Sequence, residues 1–286
     1  MTVSRWIQNN THSLHGKTVA VNGATGGLGR ELCHHLAGLG ASLVLLDRNQ
    51  DKSHRLAKEL KGHYPELSVR HVTADLEDMV SVKQAVLSLE QIGIDGLILN
   101  AGAYSIPRHT TSIGYDNVYQ INFIAPYYLA RTLLPHIQGR GGRIVAVGSI
   151  AHRYSKTDAQ DIDFSGRKQA SLVYGNAKRY LMYSLYNTDG VSITHPGITL
   201  TGITAHYPAW LYALIKYPMK LLFMPPKKAS LSILYGLFHN THKSWIGPCL
   251  LDIWGFPCQR HLRSARPDEI ARIQATAEHI LKNLQT

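Results

Sequence analysis

Short apolar runs alternate with amphipathic segments through the first two-thirds of the chain. "KTVAVNG", "ASLVLLD", "LSVRHVTAD", "DGLILNAG", "GRIVAVGS" and "VSITHPG" read as strands, most of them apolar on both faces. Between them, "GLGRELCHHLAGLG" carries Leu28, Leu32, Leu36 and Leu39 along one helical face, and the next helix carries Leu56 and Leu60. Further helices are expected over about 79–91, through "YDNVYQINFIAPYYLARTLLPHI", and from about Tyr174. Strands apolar on both faces that alternate with helices imply a doubly wound α/β fold, a parallel sheet covered on both sides. Such sheets bind ligands beyond the carboxyl ends of their strands, so the chemistry is expected in the loops that follow.

The last third reads differently. Ile203 to Lys228, "ITAHYPAWLYALIKYPMKLLFMPPKK", is aromatic and aliphatic with interspersed lysines. A helix is expected near 229–238, a strand near "PCLLDIW", and a terminal helix over about 267–284, opened by Asp268 and Glu269. No linker, low-complexity tract or internal repeat divides the chain. One domain is therefore expected, with a core over about 15–202 and 228–256 and a helical substrate lid over about 203–227.

Composition narrows the class. At 286 residues, 44% hydrophobic and 17% charged, the chain can fill a large α/β core. The net charge of +11 is unusual, but no dense Lys/Arg block interleaves with aromatics, so nucleic acid is not an expected partner. Cys33, Cys249 and Cys258, odd in number and widely spaced, suit free thiols in a reducing compartment. The start "MTVSRWIQNNTHSLHGK" has no apolar signal core, and no stretch is long enough for a spanning helix. A cytoplasmic protein is expected, with peripheral contact to an anionic membrane left open by the lysines of the apolar segment.

The candidate chemistry begins at "NGATGGLG", where Gly23, Gly27 and Gly29 are spaced G-x-x-x-G-x-G between a strand and a helix. Glycines there let the backbone turn tightly and let a pyrophosphate approach the free N–H groups of the helix N-terminus. Asp47 ends the second strand, at the distance expected of an acid that accepts a ribose diol, with Arg48 beside it. Tyr174 and Lys178 in "YGNAK" are four apart and share a helix face. A nearby ammonium favours the phenolate, moving a tyrosine toward the range useful for proton transfer.

These motifs, in this order, resemble the short-chain dehydrogenase/reductase superfamily over about residues 15–252. The resemblance implies a Rossmann-type fold and a nicotinamide dinucleotide cofactor. It places Gly23, Thr25, Gly26, Gly27, Leu28 and Gly29 at the pyrophosphate, Asp47 and Arg48 at the ribose, and Asp75 with Leu76 at the adenine. Asn100, Ala101 and Gly102 match the motif beside the adenine ribose, and Pro196, Gly197, Thr199 and Thr201 in "HPGITLT" match the loop beside the nicotinamide. Asn122, Ser149, Tyr174 and Lys178 match the catalytic set. In that family the tyrosine exchanges a proton with the substrate oxygen while hydride moves to or from nicotinamide. The serine holds that oxygen, the lysine also binds the nicotinamide ribose, and the asparagine holds a water that links the lysine to solvent.

The long interval between Ser149 and Tyr174 resembles the branch of retinol dehydrogenases and protochlorophyllide reductases. That likeness implies a lipophilic alcohol or carbonyl substrate under the apolar lid. Asp47 would repel a 2′-phosphate, so NAD is favoured and NADP stays open, with Arg48 read as a plate for the adenine face. A non-catalytic dinucleotide sensor on the same fold is the alternative. The sixteen histidines supply no cluster with carboxylates or cysteines, so no metal is expected; His152 and His195 are read as pocket shape and polarity. Asn22 and Thr199 depart from the family pattern. So does the short "RYLMYSLYNTDGVSIT" between Lys178 and His195, about two helical turns below the family norm, which puts the usual oligomer in doubt.

Overall fold

The structure is a computed structural model, and it describes residues 1–199, 223–241, 244–262 and 266–285. Among the described residues, eight strands form one sheet in the order β3-β2-β1-β4-β5-β6-β7-β8. They are β1 (Thr18–Asn22), β2 (Ser42–Asp47), β3 (Val69–Thr73), β4 (Gly96–Leu99), β5 (Arg143–Val147), β6 (Val191–Thr194), β7 (Ser244–Leu250) and β8 (Trp254–His261). β1 to β7 are parallel, and β8 returns antiparallel to β7. The strand order reverses between β1 and β4. That switch point opens a crevice where ligands bind in such sheets.

Helices α1 (Val3–Asn10), α2 (Gly27–Gly38), α3 (Gln50–His63) and α4 (Met79–Ile92) precede a long helical stretch. This stretch comprises α5 (Asn117–Tyr119), a π turn (Gln120–Ile124) and α6 (Ala125–Gly139). A 3₁₀ turn (Ile150–Arg153), α7 (Ala170–Ser184), α8 (Pro226–Gly236) and α9 (Pro267–Gln285) follow. The buried Leu43, Leu45, Leu32 and Leu36 pack with α8's Leu231 and Leu234 on one side of the sheet. Val44, Leu46, Leu97 and Ile144 pack on the other, with Tyr119, Phe123, Tyr180 and Tyr183. Apolar strands with both faces buried are what the uninterrupted runs demanded.

Two expectations are corrected, and two elements were not foreseen. "PCLLDIW" is not one strand: a turn with Leu251 and Asp252 at φ 53° and 60° splits it between β7 and β8. β8 went unread because its "GFPCQRH" run mixes polar with apolar positions, as befits an edge strand only partly buried. α7 begins four residues before Tyr174, so the tyrosine sits inside the helix rather than at its start. α1 was also unexpected; its Trp6 stacks on Phe256 and meets Tyr235 edge-on, closing the far end of the sheet. The expected lid over about 203–227 lies outside the described residues up to Leu222, as does Thr201.

Candidate active site

The glycine loop joins β1 to α2, and its residues are forced by contact. Gly23 takes φ +71°, and a Cβ there would lie 2.9 Å from the Ala101 backbone. A Cβ on Gly29 would lie 2.1 Å from the Gly23 carbonyl, so Gly29 lets the helix close on the loop. Gly26 caps α2 without any side-chain hydrogen bond. The helix therefore begins with backbone N–H groups and the positive end of its dipole directed outward, as an anion requires.

A cleft of about 520 Å³ opens from this loop, lined also by Thr25, Gly27 and Leu28. Its far wall holds Asp47, Arg48, Asp75 and Leu76, and its inner wall Asn100, Ala101 and Gly102. Thus twelve positions expected from the sequence, Gly23, Gly26 and those just named among them, share one cavity. Gly29, Tyr174, Lys178, Pro196, Gly197 and Thr199, also expected at the cofactor, do not line it.

Asp47 is the buried acid of this cleft. Its Oδ1 accepts from the Thr25 N–H at 3.3 Å and the Thr25 hydroxyl at 3.0 Å. Oδ2 is buried and meets no donor among the described residues. Burial raises the Asp47 pKa, and the two Thr25 bonds oppose that rise. A buried carboxylate oxygen without a donor is costly, and a ribose hydroxyl would relieve that cost. The glycine cradle, the bare helix N-terminus and this orphaned oxygen together fit a dinucleotide. Arg48 NH1 lies 3.8 Å from Asp75 Oδ2, across the mouth of the cleft. Asn100 Nδ2 donates to the Gly23 carbonyl at 3.0 Å and so ties β4 to the glycine loop. Asn22, at the end of β1, donates to the Leu46 carbonyl at 3.3 Å and ties β1 to β2.

The other end of the cleft meets the Tyr174 helix. A Cβ on Gly102 would lie 2.8 Å from Asn122 Oδ1 and 3.5 Å from Lys178 Nζ, so both side chains converge on that glycine. Asn122 sits in the π turn, accepts from Ala103 N at 3.2 Å, and donates to Ala103 O at 2.9 Å and Val118 O at 2.8 Å. Such π turns free backbone groups and mark functional positions. Lys178 is buried and donates to the Val147 carbonyl at 3.0 Å; burial lowers its pKa to about 8. Tyr174 is half-buried, 5.8 Å from Lys178 Nζ to the ring centroid. Burial pushes its hydroxyl up to about 12, while a polar contact with Ser149 draws it down.

Ser149 follows β5 and caps the 3₁₀ turn, its hydroxyl accepting from Ala151 N at 3.2 Å. Pro196 and Gly197 follow β6; Gly197 takes φ +85°, where a Cβ would meet the Ile253 carbonyl at 2.7 Å. Thr199 is buried beyond them. His195 stacks on Trp245 and His152 meets the same ring edge-on. Burial lowers both imidazoles to about 4, so they are neutral at neutral pH. Tyr104 had no signal in the sequence. It lies in a loop after β4, and its ring stands at 90° and 5.4 Å to that of Tyr174. Among the described residues no group of three His, Cys, Asp or Glu side chains is placed to hold a metal.

A family model described as "short chain dehydrogenase" matches residues 17–210. The chain belongs to the short chain dehydrogenase family. By that membership it is an NAD(P)-dependent oxidoreductase. This dehydrogenase is 30% identical to an uncharacterized oxidoreductase of Schizosaccharomyces pombe, over 82% of the chain and 76% of that protein. It is 29% identical to human retinol dehydrogenase 13, over 68% of the chain and 62% of that protein. A solved structure of an uncharacterized Mycobacterium paratuberculosis protein shares the dehydrogenase's fold, with a TM-score of 0.72, 22% identity and 95% coverage of both chains. Among the dehydrogenase's described residues, no helix is long and apolar enough to cross a membrane.

Proposed function

We propose that this dehydrogenase transfers a hydride between nicotinamide and a lipophilic alcohol or carbonyl compound, with Tyr174 as the acid/base. The observation that carries the reading is the convergence at Gly102, where the dinucleotide cleft meets Lys178 and Asn122 one helical turn from Tyr174. When bound, the cofactor supplies or accepts the hydride. Ser149 holds the substrate oxygen, and Tyr174 gives or takes its proton. Burial disfavours a lone charge on either Tyr174 or Lys178, so a phenolate forms here with the ammonium beside it as counter-charge. Asn122 steadies the loop at Ala103, which lines the cleft.

The substrate class rests on apolar walls. Ile106 and Ile121 line the cleft, and the Tyr104 ring stands at right angles beside that of Tyr174. The relative named a retinol dehydrogenase supports the same class. The cofactor preference rests on Asp47: its unpartnered oxygen suits a ribose diol and repels a 2′-phosphate, which favours NAD. Paired titrations with NADH and NADPH, followed by a screen of aldehydes and ketones of graded chain length, test both. Tight NADPH binding with weak NADH binding would contradict the preference, and turnover of polar sugars alone would contradict the substrate class. Peripheral contact with an anionic membrane accompanies the same reading. It predicts salt-sensitive co-sedimentation with vesicles rich in phosphatidylserine, and equal co-sedimentation with neutral vesicles would contradict it.

A further inference from the structure

Arg179, next to Lys178 in sequence, is almost completely buried yet faces away from the cleft. Each of its three guanidinium nitrogens donates a hydrogen bond. Nε donates to Glu269 Oε1 at 2.6 Å, NH2 to Glu269 Oε2 at 2.5 Å, and NH1 to the His152 carbonyl at 2.8 Å. Burial of two opposite charges is tolerated only with such complete pairing. Glu269 lies in the first turn of α9 and is itself buried. Burial alone would raise its carboxyl; the Arg179 fork overrides that and holds it below its ordinary value. Glu269 is thus held as a carboxylate against the Arg179 fork.

The third partner of the fork leads to the active site. His152 belongs to the 3₁₀ turn that Ser149 caps. The His152 peptide N–H donates to the Ser149 carbonyl at 3.2 Å, and its ring Nδ1 meets the same oxygen at 2.6 Å. The ring is neutral and a carbonyl only accepts, so Nδ1 carries the proton. One unbroken chain of hydrogen bonds therefore runs from Glu269 through Arg179 and His152 to the backbone of Ser149. The opposite side of the turn is fixed by contact. A Cβ on Gly175 would lie 2.5 Å from the Ala151 carbonyl and 2.6 Å from Ser155 Oγ, so the turn rests directly on α7 beside Tyr174.

We propose that Arg179 and Glu269 are positioning residues, through which the C-terminal helix sets the Ser149 hydroxyl against Tyr174. The inference rests on the reading of Ser149 and Tyr174 given above. Its energetic sense is that catalytic groups lose rate steeply when displaced by an ångström or less. The contact with Ser149 also lowers the Tyr174 pKa, so a loosened turn raises it.

The test compares wild type with Glu269→Gln and with the paired replacement Arg179→Met/Glu269→Leu. The apolar pair removes both charges together and keeps the fold where a lone buried charge would not. Tyr127→Phe is the control: it removes a different anchor of α9, the 2.6 Å bond from the Tyr127 hydroxyl to Glu269's helix-mate Glu278, without touching Arg179. With NADH or NAD and decanal or decanol as the probe pair, the first two variants are expected to lower kcat by about tenfold or more. Their pH–rate profile for oxidation moves to higher pH, and their NADH Kd is unchanged. Hydrogen exchange at the Ala151 and His152 amides speeds up in both, and Tyr127→Phe shows none of these changes. Unchanged kcat, pH profile and exchange in both variants would overturn the proposal, as would equal changes in Tyr127→Phe. Failure of wild type to bind cofactor or turn over the probe overturns the functional reading instead, and the exchange measurement still decides this one.

Discussion

At the scale of single residues, Asp47 and Arg48 divide the cofactor question between them. Asp47 has one oxygen held by Thr25 and one without a donor, while Arg48 leans toward Asp75. Replacing Asp47 by Ala removes the repulsion toward a 2′-phosphate and the acceptor for the diol. The expected outcome is a shift of at least about tenfold in the ratio of NADPH to NADH affinity, read by fluorescence titration. An unchanged ratio would remove Asp47 from that role. The glycines, Asp47 and the Tyr174–Lys178 pair were legible because each is demanded by local geometry or by chemistry at fixed spacing, whereas Asn100 came only from the resemblance to the family. The Arg48–Asp75 contact and the Tyr104 ring were not, since both arise between loops that only the folded sheet brings together. Arg179 carried no signal in the sequence, because its partner Glu269 lies ninety residues further along the chain.

At the scale of elements, the site depends on places where a helix or turn approaches backbone too closely for a side chain. Gly29→Ala puts a methyl 2.1 Å from the Gly23 carbonyl, so the loop and α2 must separate. The expected outcome is cofactor affinity reduced by about a hundredfold or lost, measured by calorimetry, in a protein whose circular dichroism is otherwise native. Gly175→Ala acts on the other half. Its methyl would press on Ala151 and Ser155, shifting the Ser149 turn while leaving the cleft intact. kcat should fall by at least about tenfold with the cofactor Kd unchanged; normal turnover would show that the turn can give way. The helices were legible from their apolar stripes, but their limits were not. α7 starts at Ala170 because the residues before Tyr174 continue the helix, although no capping side chain announces its start. The π turn at Asn122 left no mark in the periodicity. It shows in the backbone bond from Ala125 N to Gln120 O, five residues back.

At the scale of the whole molecule, the parallel sheet through β6 followed from uninterrupted apolar runs, whereas the edge was hidden. β8 is antiparallel and partly exposed, so its composition lacks the signature of a buried strand. Inside that edge sit His152 and His195, both around Trp245 and both lowered by burial to about 4 from an ordinary value of 6.5. Between those values the unfolded chain binds protons that the native chain refuses, so stability is intact above the upper value and falls as the pH drops through the window. The loss reaches on the order of 3 kcal/mol per imidazole at the lower end. Urea unfolding should show a lower midpoint at pH about 4.5 than at pH about 7, and equal midpoints would place the imidazoles in a wetter environment than the fold gives them.

The central claim is proton transfer by Tyr174 coupled to hydride transfer from a dinucleotide held by the glycine loop and Asp47. Single-turnover reduction of decanal by saturating NADH, in wild type and in Tyr174→Phe, tests it most directly. The phenyl ring keeps the packing against Tyr104 and leaves the cofactor cleft untouched. The account predicts an unchanged NADH Kd with hydride transfer slowed by about a hundredfold or more. Equal transfer rates in the two proteins would contradict it.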